Sequence, residues 1–107
     1  MKKYLIKASY NANGVKGLIQ DGGTQRKLVV QKMLAGLGGK LESFYYAFGE
    51  HDVYAVSELP DDVTAAAVVM TINSTGLVSV TTTVLLSPED IDAASKKSVS
   101  YRAPGAK

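Results

Sequence analysis

The chain has 107 residues, of which 46% are hydrophobic and 21% charged, values typical of one folded domain and not of a disordered segment. Its 12 basic and 10 acidic residues leave a net charge of only +2, which is too weak to indicate a nucleic-acid-binding protein, since such proteins carry a clustered basic face. With no cysteine and 1 histidine, the chain has no disulfide, no thiolate chemistry and no histidine-cluster metal site of its own.

Targeting signals are not visible in the sequence. Residues 1–10 interleave lysines with apolar side chains and so lack the apolar core of a signal peptide. No apolar run is long enough to span a bilayer. We therefore expect a cytoplasmic protein that has neither a membrane nor a nucleic acid as its partner.

The first half of the predicted fold is a strand followed by a helix. Apolar and polar side chains alternate through residues 2–10, which predicts a strand, and residues 11–14 then predict a turn. A short apolar helical turn follows and is interrupted by the glycines at 22–23, after which Thr24 is suited to cap a new start. The spacing of the apolar side chains predicts a helix over residues 24–37.

The second half of the predicted fold is a β-hairpin, followed by a helix, a strand and a final helix. The predicted elements are strands over 41–48 and 52–58, a helix opened by residues 60–62, a strand over 78–86 and a final helix from Ser87 to about Lys97. Residues 1–97 thus form one domain, and residues 98–107 are expected to be a flexible C-terminal tail.

The order of elements is βαββαβ with an appended C-terminal helix, the ferredoxin-like arrangement of the α+β class. It predicts a four-stranded antiparallel sheet with two long helices on one face. Strict alternation places Tyr45 beside Leu41 on one side of its strand and Phe44 on the other, so both sides carry apolar groups. An uncovered apolar face predicts self-association, as a homodimer or a multiple of dimers.

Several segments together resemble the GYD-domain family over residues 3 to about 93. They are Tyr4–Tyr10 followed by Gly14–Leu18, Leu37–Glu42, the turn Phe48–Val53, Leu59–Val63 with Ala65–Ala67, and Thr82–Thr83. His51 departs from the pattern, since the family usually has tyrosine there. The resemblance implies a dimeric α/β barrel in which two sheets pack face to face. The family is of uncharacterised function, and the wider fold group includes isomerases, cofactor-independent monooxygenases and ligand-sensing domains.

Two groups of residues are candidates for chemistry or binding. His51 and Asp52 are candidate catalytic groups, because histidine exchanges protons near neutral pH and a carboxylate can orient it. The alternative is a turn residue beside a carboxylate that accepts backbone hydrogen bonds. Lys7, Tyr10 and Tyr45 are candidate ligand-binding residues, and tyrosines that simply pack at an interface are the alternative.

Three functions remain open from the sequence. The preferred one is a homo-oligomeric module that binds a small molecule or a protein, without cofactor or metal. The second is a small cofactor-independent enzyme, isomerase- or monooxygenase-like, with a cleft between sheet and helices lined by Tyr10, Tyr45 and His51. The third is a purely structural subunit of an assembly. Whether the protein is an enzyme is therefore left undecided.

Overall fold

The computed structural model describes residues 1–106, so Lys107, the last residue of the predicted tail, lies outside the described residues. The elements are β1 (Lys2–Tyr10), α1 (Ala12–Asp21), α2 (Gly23–Gly36), β2 (Lys40–Tyr46), β3 (Val53–Leu59), α3 (Asp62–Ser74), β4 (Val78–Leu85) and α4 (Pro88–Ser95). The predicted strands are all present, with ends that differ by about two residues at most.

The four strands form one sheet in the order β2-β3-β1-β4. Each neighbouring pair is antiparallel, so β1 and β3 lie in the centre and β2 and β4 form the edges. This strand order and the order of the elements along the chain confirm the predicted ferredoxin-like α+β fold.

Helices cover one face of the sheet, as predicted. Tyr4 of β1 packs in one buried cluster with Leu34 of α2 and Val68 of α3, which places both long helices on the same side. A second buried cluster comes from the strands alone: Ala8, Val53, Ala55 and Val80. The core therefore lies between this face and the helices, and it combines large side chains at one end with small ones at the other.

The region after β1 is helical, where the sequence predicted a turn. The Asn11 side chain accepts a hydrogen bond from the Gly14 backbone N–H at 2.8 Å and so caps helix α1. The prediction of a turn over residues 11–14 is therefore wrong beyond Asn11. Gly14 is a packing position, because a Cβ atom there would collide with the backbone carbonyl of Leu77.

Helices α1 and α2 meet at Gly22, whose φ of 85° lies in the left-handed region that glycine adopts readily. Helix α2 begins at Gly23, and its cap Gly22 has no side chain to contribute a hydrogen bond. The predicted cap at Thr24 is therefore wrong. The break itself was correctly placed by the pair of glycines.

Strand β2 contains an irregularity that changes which side chains face the helices. Its register with β3 shifts between Leu41 and Ser43. As a result Leu41 and Phe44 both pack against the core. The prediction that Leu41 shares a face with Tyr45 is therefore wrong, because it assumed uninterrupted alternation.

The later helices begin at the predicted signals. The Asp61 carboxylate accepts from the Thr64 backbone N–H at 2.8 Å. Ser87 and Asp90 form a reciprocal capping box at the start of α4. Helix α4 is exposed along its whole length, and residues 96–106 contain turns but no helix or strand. No helix within residues 1–106 is long and apolar enough to cross a bilayer.

A buried phenol links β1 to the start of α3. The Tyr4 side chain is 1% exposed, and its hydroxyl donates a hydrogen bond to Asp62 Oδ1 at 2.6 Å. Burial, together with this bond, raises the pKa of Tyr4 to about 12. Hydrogen bonds from Tyr4 and then from Lys2 lower the pKa of Asp62.

Gly14 and Gly17 form a matched pair in α1. Gly14→Ala forces a methyl group against the Leu77 carbonyl and is expected to lower the free energy of unfolding by about 1–3 kcal/mol. Gly17→Ala meets no atom within 4 Å and should raise it by about 0.5–1 kcal/mol, because alanine favours helix. Urea denaturation measures both changes, and effects of the same sign would contradict the packing assigned to Gly14.

The Tyr4–Asp62 hydrogen bond predicts a change in acid stability. A carboxyl with a lowered folded pKa stabilises the protein above its unfolded pKa, near 3.8, and this contribution is lost as the pH falls below that value. Tyr4→Phe removes the hydroxyl group that lowers the pKa of Asp62. The melting temperature of this variant should therefore decrease less between about pH 7 and about pH 3 than that of the wild type. Tyr101→Phe, in the exposed C-terminal segment, is the control and should keep the wild-type fall.

Candidate functional site

The sheet face opposite the helices is called here the open face. Its central side chains lie in two cross-strand rows: Tyr45, Tyr54, Lys7 and Thr81 in one, and Ser43, Val56, Leu5 and Thr83 in the next. Tyr45 is 70% exposed, whereas Lys7, Tyr54 and Val56 are half-buried by their neighbours. The face thus mixes aromatic and aliphatic groups with hydroxyls and one ammonium group.

His51 belongs to the open face, at the turn that leads into β3. Its Nδ1 lies 3.2 Å from the Ser9 hydroxyl, within hydrogen-bond distance. Its ring meets the Tyr54 ring edge to face, with the centroids 5.8 Å apart. These two contacts hold the imidazole against the sheet and leave it half-buried.

Asp52 points to the other side of the sheet from His51. Its carboxylate accepts a hydrogen bond from the Tyr10 backbone N–H at 2.8 Å, and its own N–H donates to the Ala8 carbonyl at 2.8 Å. It therefore ties the turn to the end of β1. Asp52 lies in the bend before β3, on the same side of the sheet as Val53, and it makes no hydrogen bond to the imidazole that would orient it.

The structure does not bring the predicted ligand-binding residues together. Lys7 and Tyr45 share the open face and are both cross-strand neighbours of Tyr54. Tyr10 lies on the helix side, where it packs beside the second buried cluster. The predicted cleft lined jointly by Tyr10, Tyr45 and His51 is therefore wrong, because the sheet itself stands between the first residue and the other two.

A two-part cleft lies on the helix side, between the sheet and helices α1, α2 and α3. The inner cleft, of about 110 Å³, is lined mainly by apolar side chains that include Met33, Phe44 and Ile72. The outer cleft, of about 430 Å³, lies between Leu18 of α1 and the β2–β3 turn. Tyr10 lines both parts.

The outer cleft contains the polar group of Tyr46 in addition to that of Tyr10. The Tyr46 hydroxyl donates to the Gly23 carbonyl at 2.9 Å. Burial raises the pKa of Tyr46, the nearby Tyr10 adds to the increase, and the positive charge of Arg26 opposes it. Tyr10 and Tyr46 both line the outer cleft, and Tyr10 and Arg26 both line the inner cleft.

No group of at least 3 histidine, cysteine, aspartate or glutamate side chains within residues 1–106 is arranged to hold a metal ion. The cleft offers hydrogen-bonding groups, the Arg26 side chain, the Asp52 carboxylate in its outer part and an apolar lining. These groups can bind and orient a small molecule.

Sequence reasoning missed Arg26, Met33 and Phe44 as cleft residues. A usable signal was present for Arg26, which stands 4 positions before Val30 and 7 before Met33, on the apolar stripe of α2. A charged side chain on an apolar helix face is a candidate for a buried contact. For Phe44 no such signal existed, because the bulge in β2 decides its direction.

Comparison with known proteins gives one match. Neither a curated protein nor a solved structure matches the chain. The profile of the GYD domain matches residues 4–95, in agreement with the resemblance noted from the sequence. This match covers most of the 107 residues, so the chain belongs to the GYD domain family.

Proposed function

We propose that this chain is a homodimeric small-molecule-binding module, in which two sheets pack through their open faces and each chain holds a ligand in the cleft on its helix side. The observation that carries this proposal is the inner cleft. It is an apolar space of about 110 Å³ within a domain whose interior should otherwise be close-packed.

Small side chains on the sheet leave this space open. Ala8 and Ala55 occupy central positions on β1 and β3 below α2, where larger residues would fill the gap. At about 24 cal/mol per Å³, an unfilled cavity of this size costs at most about 3 kcal/mol of stability. A ligand that occupies the space restores the missing contacts, which is a physical reason for binding.

The area and the apolar side chains of the open face support the proposed dimer. Four strands about 4.8 Å apart and roughly 25 Å long span roughly 500 Å² before side-chain relief is counted. A standard interface buries about 800 Å² on each partner, so this face and its rim are of suitable size. Tyr45, Tyr54 and Val56 supply the aromatic and aliphatic surface that a second copy would bury.

Lys7 is compatible with such an interface, because its long apolar stem can pack while the ammonium group reaches the rim. Its cross-strand neighbours, Tyr54 and Thr81, are uncharged. The enzyme alternative has less support, since His51, the candidate base, lies on the face away from the cleft. A purely structural subunit would leave the cleft without a role.

Benzyl alcohol, a small neutral aromatic, is a suitable probe of the cleft. In the NMR spectrum its addition should shift the methyl signals of Val30, Met33 and Ile72, which line the inner cleft. Ala55→Leu fills the space and should weaken binding about tenfold or more. Ala8→Val is the milder variant if the larger side chain prevents folding.

Ala35→Leu, on the exposed side of α2, is the matched control and should bind the probe as the wild type does. If Ala55→Leu and wild type bind equally well, or if the shifted methyl groups lie away from the inner cleft, the proposed site is wrong.

The dimer is tested by sedimentation at micromolar concentration. The wild type should sediment with the mass of two chains, or a multiple, and Tyr45→Glu should sediment as a monomer because it places an unpaired charge between the packed faces. Phe48→Glu is the control: this aromatic residue is fully exposed on the β2–β3 turn, outside the open face, and should leave the dimer intact. A wild-type monomer would contradict this part of the proposal.

A further inference from the structure

Arg26 is unusual among the residues that line the inner cleft. It is the one charged side chain there, and the others are apolar apart from the Tyr10 phenol. Its side chain is 32% exposed, whereas its neighbour Lys27 is exposed to solvent. The Arg26 side chain therefore lies partly against the apolar lining of the cleft and partly in solvent.

Within residues 1–106, Arg26 has a weak partner. Its nearest carboxylate oxygen, on Asp21, lies 3.9 Å from Nη1, which is longer than a hydrogen bond. A guanidinium presents several N–H donors in a plane, an arrangement that matches both oxygens of a carboxylate. Arg26 therefore keeps hydrogen-bonding capacity available for an incoming group.

The nearby phenols and one carboxylate limit where in the cleft an anionic group can bind favourably. The Tyr46 hydroxyl is occupied by the Gly23 carbonyl. The Tyr10 hydroxyl makes no hydrogen bond to any other part of the described chain, so it is available as a donor. Asp52, at the outer cleft, carries a negative charge and repels an anion placed there. The favourable position for an anionic group is consequently beside Arg26 and Tyr10.

We infer that the ligand of this cleft is a small apolar carboxylate, whose carboxylate binds the Arg26 guanidinium and the Tyr10 hydroxyl while its apolar body packs against Met33, Phe44 and Ile72. This inference rests on the proposed function, since it specifies the ligand of the same site. An apolar cavity of about 150 Å³ accommodates a benzene ring. The inner cleft of about 110 Å³ is smaller than this but partly open to solvent, so it suits a body of one ring or a short branched chain whose end extends outward.

Benzoate and benzyl alcohol form a matched pair of probes, because they share the ring and differ in charge. Near neutral pH the wild type should bind benzoate about tenfold more tightly than benzyl alcohol, as measured by calorimetry or NMR titration. Arg26→Gln should abolish this preference by weakening benzoate binding, and it should leave the affinity for benzyl alcohol nearly unchanged. Arg26→Lys, which retains the charge but not the planar donors, should restore part of the preference.

Lys27→Gln is the control, because it removes the same charge from the next residue of α2 at a position outside the cleft. It should retain the wild-type preference for benzoate. If Lys27→Gln loses as much as Arg26→Gln, general positive charge attracts the anion and the assignment to Arg26 is wrong.

The outcomes separate this inference from the proposed function. If both probes bind in the cleft with equal affinity, the site exists but its preference for a carboxylate is contradicted. If benzyl alcohol binds the more tightly of the two, the conclusion is the same. If neither probe binds, the cleft and its ligand class are both contradicted. Should Arg26→Gln fail to fold, Tyr10→Phe provides the second measurement and should reduce the preference for benzoate.

Discussion

The alternation of side chains along β1, the strand between β3 and β4, is the constraint on which the rest of the structure depends. Tyr4 and Ala8 point towards the helices and join the core, so Leu5 and Lys7 must point the other way. The same alternation carries Tyr10 into the helix-side cleft. Because the strand is paired on both sides, it cannot rotate to bring its two sets of side chains together.

This separation gives the domain two surfaces with different properties. The helix side holds a core that is well filled around Tyr4 and Leu34 and less completely filled around Ala8 and Ala55. The open face carries aromatic side chains that a single chain leaves uncovered, with Tyr45 at 70% exposed. In the proposed module, one surface binds a small molecule and the other binds a second copy, with the sheet between them.

The β2–β3 turn carries residues that contact both sides of the sheet. Asp52 anchors it to the backbone of β1 by accepting from Tyr10, while His51 contacts Ser9 on the opposite face. Neighbouring residues of one turn thus contact the helix-side cleft and the open face. The same turn also carries Phe48, which is fully exposed and lines the outer cleft.

The amino-acid sequence by itself determined the fold class, the strands, the helix starts at Asp61 and Ser87, and membership of the family. The strands and helix starts depend on local periodicity and capping, which involve residues a few positions apart, whereas the family is indicated by motifs distributed along most of the chain. Only the tertiary structure decided which face Leu41 occupies, that Gly14 packs against Leu77, and that Tyr10 is separated from Tyr45. Each of these depends on a contact between distant segments or on a bulge in strand pairing, and local pattern does not encode either.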